Sequence, residues 1–382
     1  MSRKFIPLSV PNLKGKEIEY VTHAVETEWV STGGPYVNEF EKKISDYVKC
    51  TGAVSCQNGT SGLHIALKVC GVTKDDEVIV PTLTFIAAVN PVKYLGASPI
   101  FMDCDNSLCM DMDKLNDFCE TQCKMVDGQL INNLTNRKIK AVIIVHVFGN
   151  MANMEKATTI CKRYNIKPIE DATEALGTYY LDGVFKGKYA GTIGDVGVYS
   201  FNGNKIITTG GGGMLVAKTA DIVKKAKYLS TQAKDDEINF IHNEIGYNYR
   251  MTNVQAAIGV AQLEQLENFI SIKAMNYLLM KQKGLKLLEF KDNIRPNYWF
   301  YSLLASGHKN RLIEYFSSNQ IQVRPIWGLI NMQYPYVDEQ SYKIEKAIYY
   351  HENIINIPCS SNLRASDIER LSQIYNNFIG GN

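Results

Sequence analysis

From about residue 53 to residue 217 the chain alternates short apolar runs with stretches whose apolar residues recur at helical spacing. Ala53–Cys56, Glu77–Val80, Pro99–Met102, Ala141–Val147, Lys167–Glu170, Val196–Ser200 and Met214–Val216 have the length and composition of buried strands. Between the first two, Ser61–Cys70 places apolar residues at 63, 66, 67 and 70, one face of a helix. Such alternation predicts an α/β layer fold around a mostly parallel sheet. Asn58-Gly59-Thr60-Ser61 is then a strand-to-helix turn. Past about residue 235 the pattern changes to longer amphipathic helices, Val254–Phe269 and Ser271–Lys286, with strand candidates at Trp299–Leu304 and Gln322–Pro325. The expected division is a large α/β domain over 1–235 and a smaller C-terminal α+β domain over 236–382, without repeats or low-complexity segments.

Composition narrows the function classes. Across 382 residues, 41 basic and 39 acidic side chains give a net charge of +2 with no long run of one sign. That balance argues against a nucleic-acid partner, so any anionic ligand must be handled locally. The N-terminus lacks the apolar core of a signal peptide, and the strongest apolar run, Ala141–Val147, is too short to span a bilayer. The expectation is a cytoplasmic protein without a membrane partner. Nine cysteines form no C-x-x-C pair, which favours free thiols, and their spacings match no zinc module, so no metal is expected.

Candidate chemistry gathers where strands end. Ser200-Phe201-Asn202-Gly203-Asn204-Lys205 follows an apolar strand and runs into Thr208-Thr209-Gly210-Gly211-Gly212-Gly213. A lysine buried there is desolvated toward its neutral amine, the form that makes Schiff bases with aldehydes, and this points to pyridoxal phosphate. A solvated lysine beside a turn is the plain alternative. At Asn58–Ser61 the helix start offers backbone N–H groups, and Thr60 and Ser61 add hydroxyls, so the turn is either a phosphate cup or a simple cap. Asp171 ends the Lys167–Glu170 strand, where a carboxylate can pair with a protonated ring nitrogen or cap residues 172–177 as a helix. Phe85, in Pro81-Thr82-Leu83-Thr84-Phe85, is placed to stack on a flat cofactor or to join the core. The order 60, 85, 171, 205, each at a strand end, favours the joint reading.

With these residues in view, the chain resembles the sugar-nucleotide aminotransferases of aspartate-aminotransferase-like fold type I, the DegT/DnrJ/EryC1/StrS family. The resemblance covers nearly the whole chain. It rests on Ile6–Pro11, Trp29–Pro35, Asn58–Gly62, Pro81–Phe85, His146–Gly149, Glu170–Gly177, Ser200–Lys205 and Gly246–Met251. It implies that Lys205 forms the Schiff base with pyridoxal phosphate, Asp171 pairs with the pyridine nitrogen and Phe85 covers the ring. Thr60, Ser61 and Ser200 would hold the phosphate, joined by Asn248 from the partner subunit of a homodimer. Glu174 stands where members often carry His, Gln or Glu near the cofactor. A dehydrating relative replaces the lysine with histidine, so Lys205 implies transamination. Gly211 departs from the Thr-Gly-Glu-Gly-Gly that many members carry after the lysine. With Trp29-Val30-Ser31-Thr32, Asn297-Tyr298-Trp299 and Arg324-Pro325-Ile326-Trp327, this resembles the branch that uses L-glutamate to aminate UDP-linked 4-keto-6-deoxy-N-acetylglucosamine, on the way to bacillosamine or legionaminic acid. Alternatives are a dTDP-keto-sugar C3-aminotransferase, a GDP-perosamine synthase and, remotely, a non-catalytic regulator that binds the cofactor. Trp29, His146, Arg250 and Arg324 are the substrate-contact candidates; each also reads as a packing or surface residue.

Overall fold

The computed structural model describes residues 4–236 and 238–381. The helices in chain order are α1 (Glu17–Glu26), α2 (Pro35–Val48), α3 (Gly59–Val69), α4 (Asn90–Tyr94), α5 (Met112–Thr121), α6 (Met154–Tyr164), α7 (Ala220–Ser230), α8 (Asn253–Gln282), α9 (Lys309–Ser318), α10 (Lys346–Asn353) and α11 (Ala365–Gly380). The strands of the first part are β1 (Gly52–Cys56), β2 (Asp76–Pro81), β3 (Ser98–Met102), a β4–β5 hairpin (Cys123–Val126 and Gln129–Asn132), β6 (Lys138–Val145), β7 (Lys167–Asp171), β8 (Tyr179–Tyr180), β9 (Val196–Ser200) and β10 (Gly213–Ala217). The remainder adds β11 (Ile294–Arg295), β12 (Tyr301–Leu304), β13 (Arg324–Pro325), β14 (Ser341–Tyr342) and β15 (Ile354–Ile357).

The main sheet runs β1-β10-β9-β7-β6-β2-β3-β14. It is parallel from β9 to β14, and β10 lies antiparallel to both of its neighbours, so the sheet is mixed. Central strands are covered on both faces by helices, which is why β6 carries Val142-Ile143-Ile144-Val145 as an unbroken apolar run, all buried. Their carboxyl ends line one edge, the place where open α/β sheets bind ligands. A second sheet, β12-β15-β13, faces that edge, and β11 pairs with β8 of the first part.

The expected strands are present to within a residue or two. The exception is Ala141–Val147, where β6 stops at Val145 and residues 147–149 form a 3-10 turn. The two expected helices, Val254–Phe269 and Ser271–Lys286, are one 30-residue helix, α8, because no Gly or Pro interrupts the chain at Ile270-Ser271. Thr252 and Gln255 start it with a reciprocal capping box. Although α8 lies beyond residue 235, it packs on α1 and α2, and Gly259 admits the Phe40 ring where a Cβ would sit 2.6 Å from it. The chain returns again at β14, which adds a parallel edge strand to β3. Among the described residues no helix is long and apolar enough to cross a membrane.

Candidate active site

A cavity of about 640 Å³ opens between the carboxyl edge of the main sheet and the β12-β15-β13 sheet. Each strand delivers its residues at its carboxyl end or just beyond it. Asn58, Gly59 and Thr60 stand at the turn into α3 after β1, and Thr84 and Phe85 follow β2; Phe148 follows β6, Asp171 ends β7 with Glu174 just after it, and Ser200 ends β9 with Asn202, Asn204 and Lys205 after it. Trp299, Phe300, Arg324, Trp327 and Asn356 close the other side.

The cup after β1 is built by helix capping. The Asn58 side chain accepts from Ser61 N at 2.8 Å, so Gly59 and Thr60 are the first helical residues and their N–H groups have no acceptor within the helix. The N-terminal end of α3 carries partial positive charge, which favours an anion. Antiparallel pairing sets Gly213 opposite both Cys56 and Ser200, bringing Ser200 against the cup. A Cβ on Gly213 would stand 2.6 Å from the Asn58 carbonyl, and one on Gly59 would stand 3.1 Å from Ser200 Cβ.

Ser61 does not serve as the sequence suggests. Its hydroxyl accepts from Asn58 N at 3.2 Å and donates to Asn58 O at 2.9 Å, and it is absent from the cavity wall. The capping box consumes it, leaving Thr60, Ser200 and the free N–H groups as the cup.

Asp171 is buried at the end of β7. Its Oδ1 accepts from Thr173 N at 3.0 Å, a local turn in place of the helix considered for 172–177, and the Thr173 side chain adds a second hydrogen bond to the carboxylate. Burial pushes the Asp171 carboxyl above its ordinary range, against the Thr173 hydrogen bonds and the Lys205 charge. A buried carboxylate hydrogen-bonded, among the described residues, by Thr173 alone gains from a cationic partner, which a protonated ring nitrogen supplies.

Lys205 keeps 13% of its side chain exposed. Its Nζ lies 3.8 Å from Glu174 Oε1, beyond hydrogen-bonding distance, and 4.1 Å above the Trp299 ring. Burial lowers the Lys205 pKa, while Glu174 and Asp171 oppose the shift. The amine is thus shielded and hydrogen-bonded to no oxygen among the described residues, as suits a Schiff-base lysine. Burial likewise raises Glu174 to about 7, even with Lys205 beside it, and Glu174 Oε2 accepts from Phe148 N at 2.8 Å. Phe85, 54% exposed, overhangs the same space. An anion cup, an aromatic cover, a buried acid and a desolvated amine fit pyridoxal phosphate, with Lys205, Asp171, Thr60, Ser200 and Phe85 as the residues that would hold it.

The other candidates divide. Arg324 lines the cavity. His146 does not: it is fully buried, its Nε2 lies 2.8 Å from Glu170 Oε2, and its Nδ1 accepts from Ala152 N at 3.1 Å. Alternation along β7 explains the pairing, since Glu170 faces opposite to Asp171. With both ring nitrogens engaged, His146 holds the β6–β7 ends together and has no route to substrate. Arg250 is spent on Thr32 O at 3.2 Å and on Asn38 and Glu41, and Trp29 is exposed away from the cavity. Asn248 bridges Thr231 outside its own chain's cavity.

Sequence reasoning assigned no role to Phe148 or Asn356 and gave Trp299 none beyond a subgroup mark. Phe148 takes a left-handed backbone (φ 56°) and packs 4.7 Å from Trp327, while Trp299 Nε1 donates to Asn204 O at 2.7 Å, steadying the residue before the lysine. The motif around Phe148-Gly149 was a signal for the first, since a glycine in the left-handed region (φ 91°) follows it.

A family model described as the DegT/DnrJ/EryC1/StrS aminotransferase family matches residues 11–375. The chain is 37% identical to a GDP-perosamine synthase of Escherichia coli O157:H7, over 98% of this chain and 99% of the relative. It is 33% identical to a UDP-4-amino-4,6-dideoxy-N-acetyl-beta-L-altrosamine transaminase of Campylobacter jejuni, over 80% and 73% respectively. Among solved structures, a DegT DnrJ EryC1 StrS aminotransferase from Brucella abortus superposes with a TM-score of 0.87 at 23% identity, over 96% of this chain and 95% of that one. The PLP form of a putative sugar aminotransferase from Streptococcus pneumoniae does so with 0.86 at 21% identity, over 97% and 98%. The chain therefore belongs to the DegT/DnrJ/EryC1/StrS aminotransferase family and is a pyridoxal-phosphate-dependent sugar aminotransferase of fold type I.

Proposed function

We propose that this protein moves an amino group from L-glutamate to C4 of a nucleotide-linked 4-keto-6-deoxy sugar, releasing 2-oxoglutarate and an amino sugar. The observation that carries this reading is the shielded Lys205 amine facing Asp171 and Glu174 across one cavity. Pyridoxal phosphate, when bound, supplies the electron-withdrawing ring on which an amino group passes between two substrates. Asp171 holds a proton at the ring nitrogen. The α3 N-terminus, Thr60 and Ser200 anchor the phosphate, and Phe85 covers the ring. Lys205 Nζ takes the proton from the donor's α-carbon and delivers one to the sugar's carbon in the second half. One base serving both halves requires that the first product leave before the sugar enters.

The nucleotide is read first as GDP. Relatives named GDP-perosamine synthase match at 37%, 33% and 31% identity over 96% or more of this chain. A UDP-linked N-acetyl sugar, which the sequence motifs favour, is the second reading, supported by the 33% identity to the altrosamine transaminase. We also read the enzyme as a homodimer with Asn248 entering the partner's cavity, supported by the exposed apolar segment Ile238, Phe240, Ile241 and Ile245.

Visible spectra of the purified holoenzyme test the reading. L-Glutamate should bleach the yellow absorbance, and a matching keto sugar, drawn from GDP-, UDP- and dTDP-linked members, should restore it. Bleaching without return from any sugar would reject the acceptor class. Lys205→Ala should lower turnover by at least about 1000-fold; wild-type turnover in that variant would overturn the assignment.

A further inference from the structure

The β12-β15-β13 sheet places three polar side chains in one row, two of which, Asn356 and Arg324, line the cavity that holds the lysine. Ser302 of β12 pairs in register with Asn356 of β15, and Asn356 pairs with Arg324 of β13. Directly opposed residues on neighbouring strands share a face of the sheet. Asn356 is 5% exposed, yet it lines the cavity. Its Oδ1 accepts from the buried Ser302 Oγ at 2.9 Å, which fixes the orientation of the carboxamide. Its Nδ2 has no partner among the described residues and is not sealed off, so the opening it faces is the cavity. A buried donor left open in this way awaits an acceptor, because an unmade hydrogen bond there is costly. One strand over, the Arg324 guanidinium also lines the cavity and forms no ion pair among the described residues.

The row therefore offers donors only: two amide hydrogens inside and a cation at the exposed rim. A hydroxyl would be served equally by an acceptor, whereas this pairing suits a group that only accepts and carries negative charge. We propose that Asn356 and Arg324 form an oxyanion subsite for the substrate, with Ser302 a positioning residue that holds the Asn356 amide in its donating orientation. This rests on the aminotransferase reading above. The oxyanion has two available sources in that reaction, the diphosphate of the nucleotide sugar and the carboxylate of the amino-acid donor. Arg324 alone cannot explain the row, since nothing about a rim arginine requires a buried, oriented carboxamide behind it.

Calorimetric binding to the holoenzyme, with GDP and 2-oxoglutarate as separate probes, tests the subsite. Asn356→Asp keeps the shape and replaces the donor with a like charge. It should weaken one or both probes by more than about 100-fold, and Asn356→Ala by about 10- to 100-fold. Loss confined to GDP assigns the diphosphate, loss confined to 2-oxoglutarate assigns the carboxylate, and loss of both assigns a subsite used by each substrate in turn. Ser302→Ala should give a smaller loss that Ser302→Thr restores, which a purely structural role would not reproduce in variants of unchanged melting temperature. If Asn356→Asp fails to fold, the Ser302 pair decides: unchanged binding in Ser302→Ala overturns the proposal. Unchanged affinity for both probes in a folded Asn356→Asp overturns the subsite alone. Wild-type enzyme that bound neither probe would overturn it together with the function on which it rests.

Discussion

Glu174 shows how one side chain's burial sets a pH dependence for the whole fold. Its carboxyl is raised from 4.5 to about 7, first by burial, with Lys205 and the Phe148 N–H opposing. Between those values the folded protein keeps a proton that the unfolded chain has released. Folding stability attached to this group is therefore complete below about pH 4.5 and is lost as the pH rises through 7. Glu174→Gln removes that titration while retaining an acceptor for Phe148 N. Urea unfolding of the cofactor-free protein should show the variant gaining on wild type between pH 5 and pH 8, by on the order of 1–3 kcal/mol. A difference that stayed flat across that range would show that burial does not control the group. Lys205 responds in the opposite sense, since its depressed pKa marks a cation that folding disfavours. The loose 3.8 Å pair is thus two groups each driven toward neutrality by the same dry surroundings, which keeps the amine available.

At the scale of elements, the cup depends on three backbones meeting: the end of β1, the start of α3 and the start of β10. Gly213 is the contact point, and any Cβ there collides with the Asn58 carbonyl and Gly59 N at 2.6 and 2.8 Å. Backbone cannot move aside as a side chain can, so Gly213→Ala should push the α3 N-terminus away from Ser200. The expected result is at least a tenfold loss of pyridoxal phosphate affinity, about 1.4 kcal/mol, measured by fluorescence titration, with secondary structure retained. Unchanged affinity would mean that the cup tolerates the shift.

How much of this was legible follows from where each signal lies. Strands buried on both faces write themselves as apolar runs, so β1, β2, β3, β6, β7, β9 and β10 were readable. Thr60, Phe85, Asp171 and Lys205 were readable as a set because each stands at or just beyond the carboxyl end of its strand. What was hidden depends on contacts distant in sequence. Whether Ser61 offers its hydroxyl outward depends on Asn58 capping, and the inward pairing of His146 depends on Glu170 pointing to the other face of β7. Trp299 and Asn356 reach the lysine's cavity from about 95 and 150 residues further along the chain, a juxtaposition that no local pattern encodes. The two-residue β14 carries no periodicity at all.

That last strand matters most for the molecule as a whole. After β13 the chain passes Ile326, Trp327 and Gly328 at the cavity, then crosses back to the main sheet. Ile330 N donates to Thr82 O at 3.0 Å, β14 pairs with β3, and α10 begins against Asp103. Asp103, fully buried, accepts from Glu345 N, Lys346 N and Ala347 N at 3.0, 2.9 and 2.7 Å, and from Lys114 Nζ at 2.7 Å. Burial raises its carboxyl pKa, but Lys114 and the three N–H groups outweigh it and hold the group below the usual 3.8. The stability this provides is present above about pH 4 and is lost as the pH falls further. Asp103→Asn keeps the shape but loses the charge and one acceptor, leaving a buried N–H unpaired. Unfolding at pH 7 should show a loss of about 2–4 kcal/mol, and that gap should narrow toward pH 3 as the wild-type carboxyl takes up its proton. Because the crossover from β13 to α10, residues 326–345, also carries Trp327, amide exchange should accelerate over 341–347 and reach the 326–328 segment, while the α3 cup stays protected. Acceleration confined to 341–347 would show instead that the cavity wall is held by its own sheet, independently of that crossover.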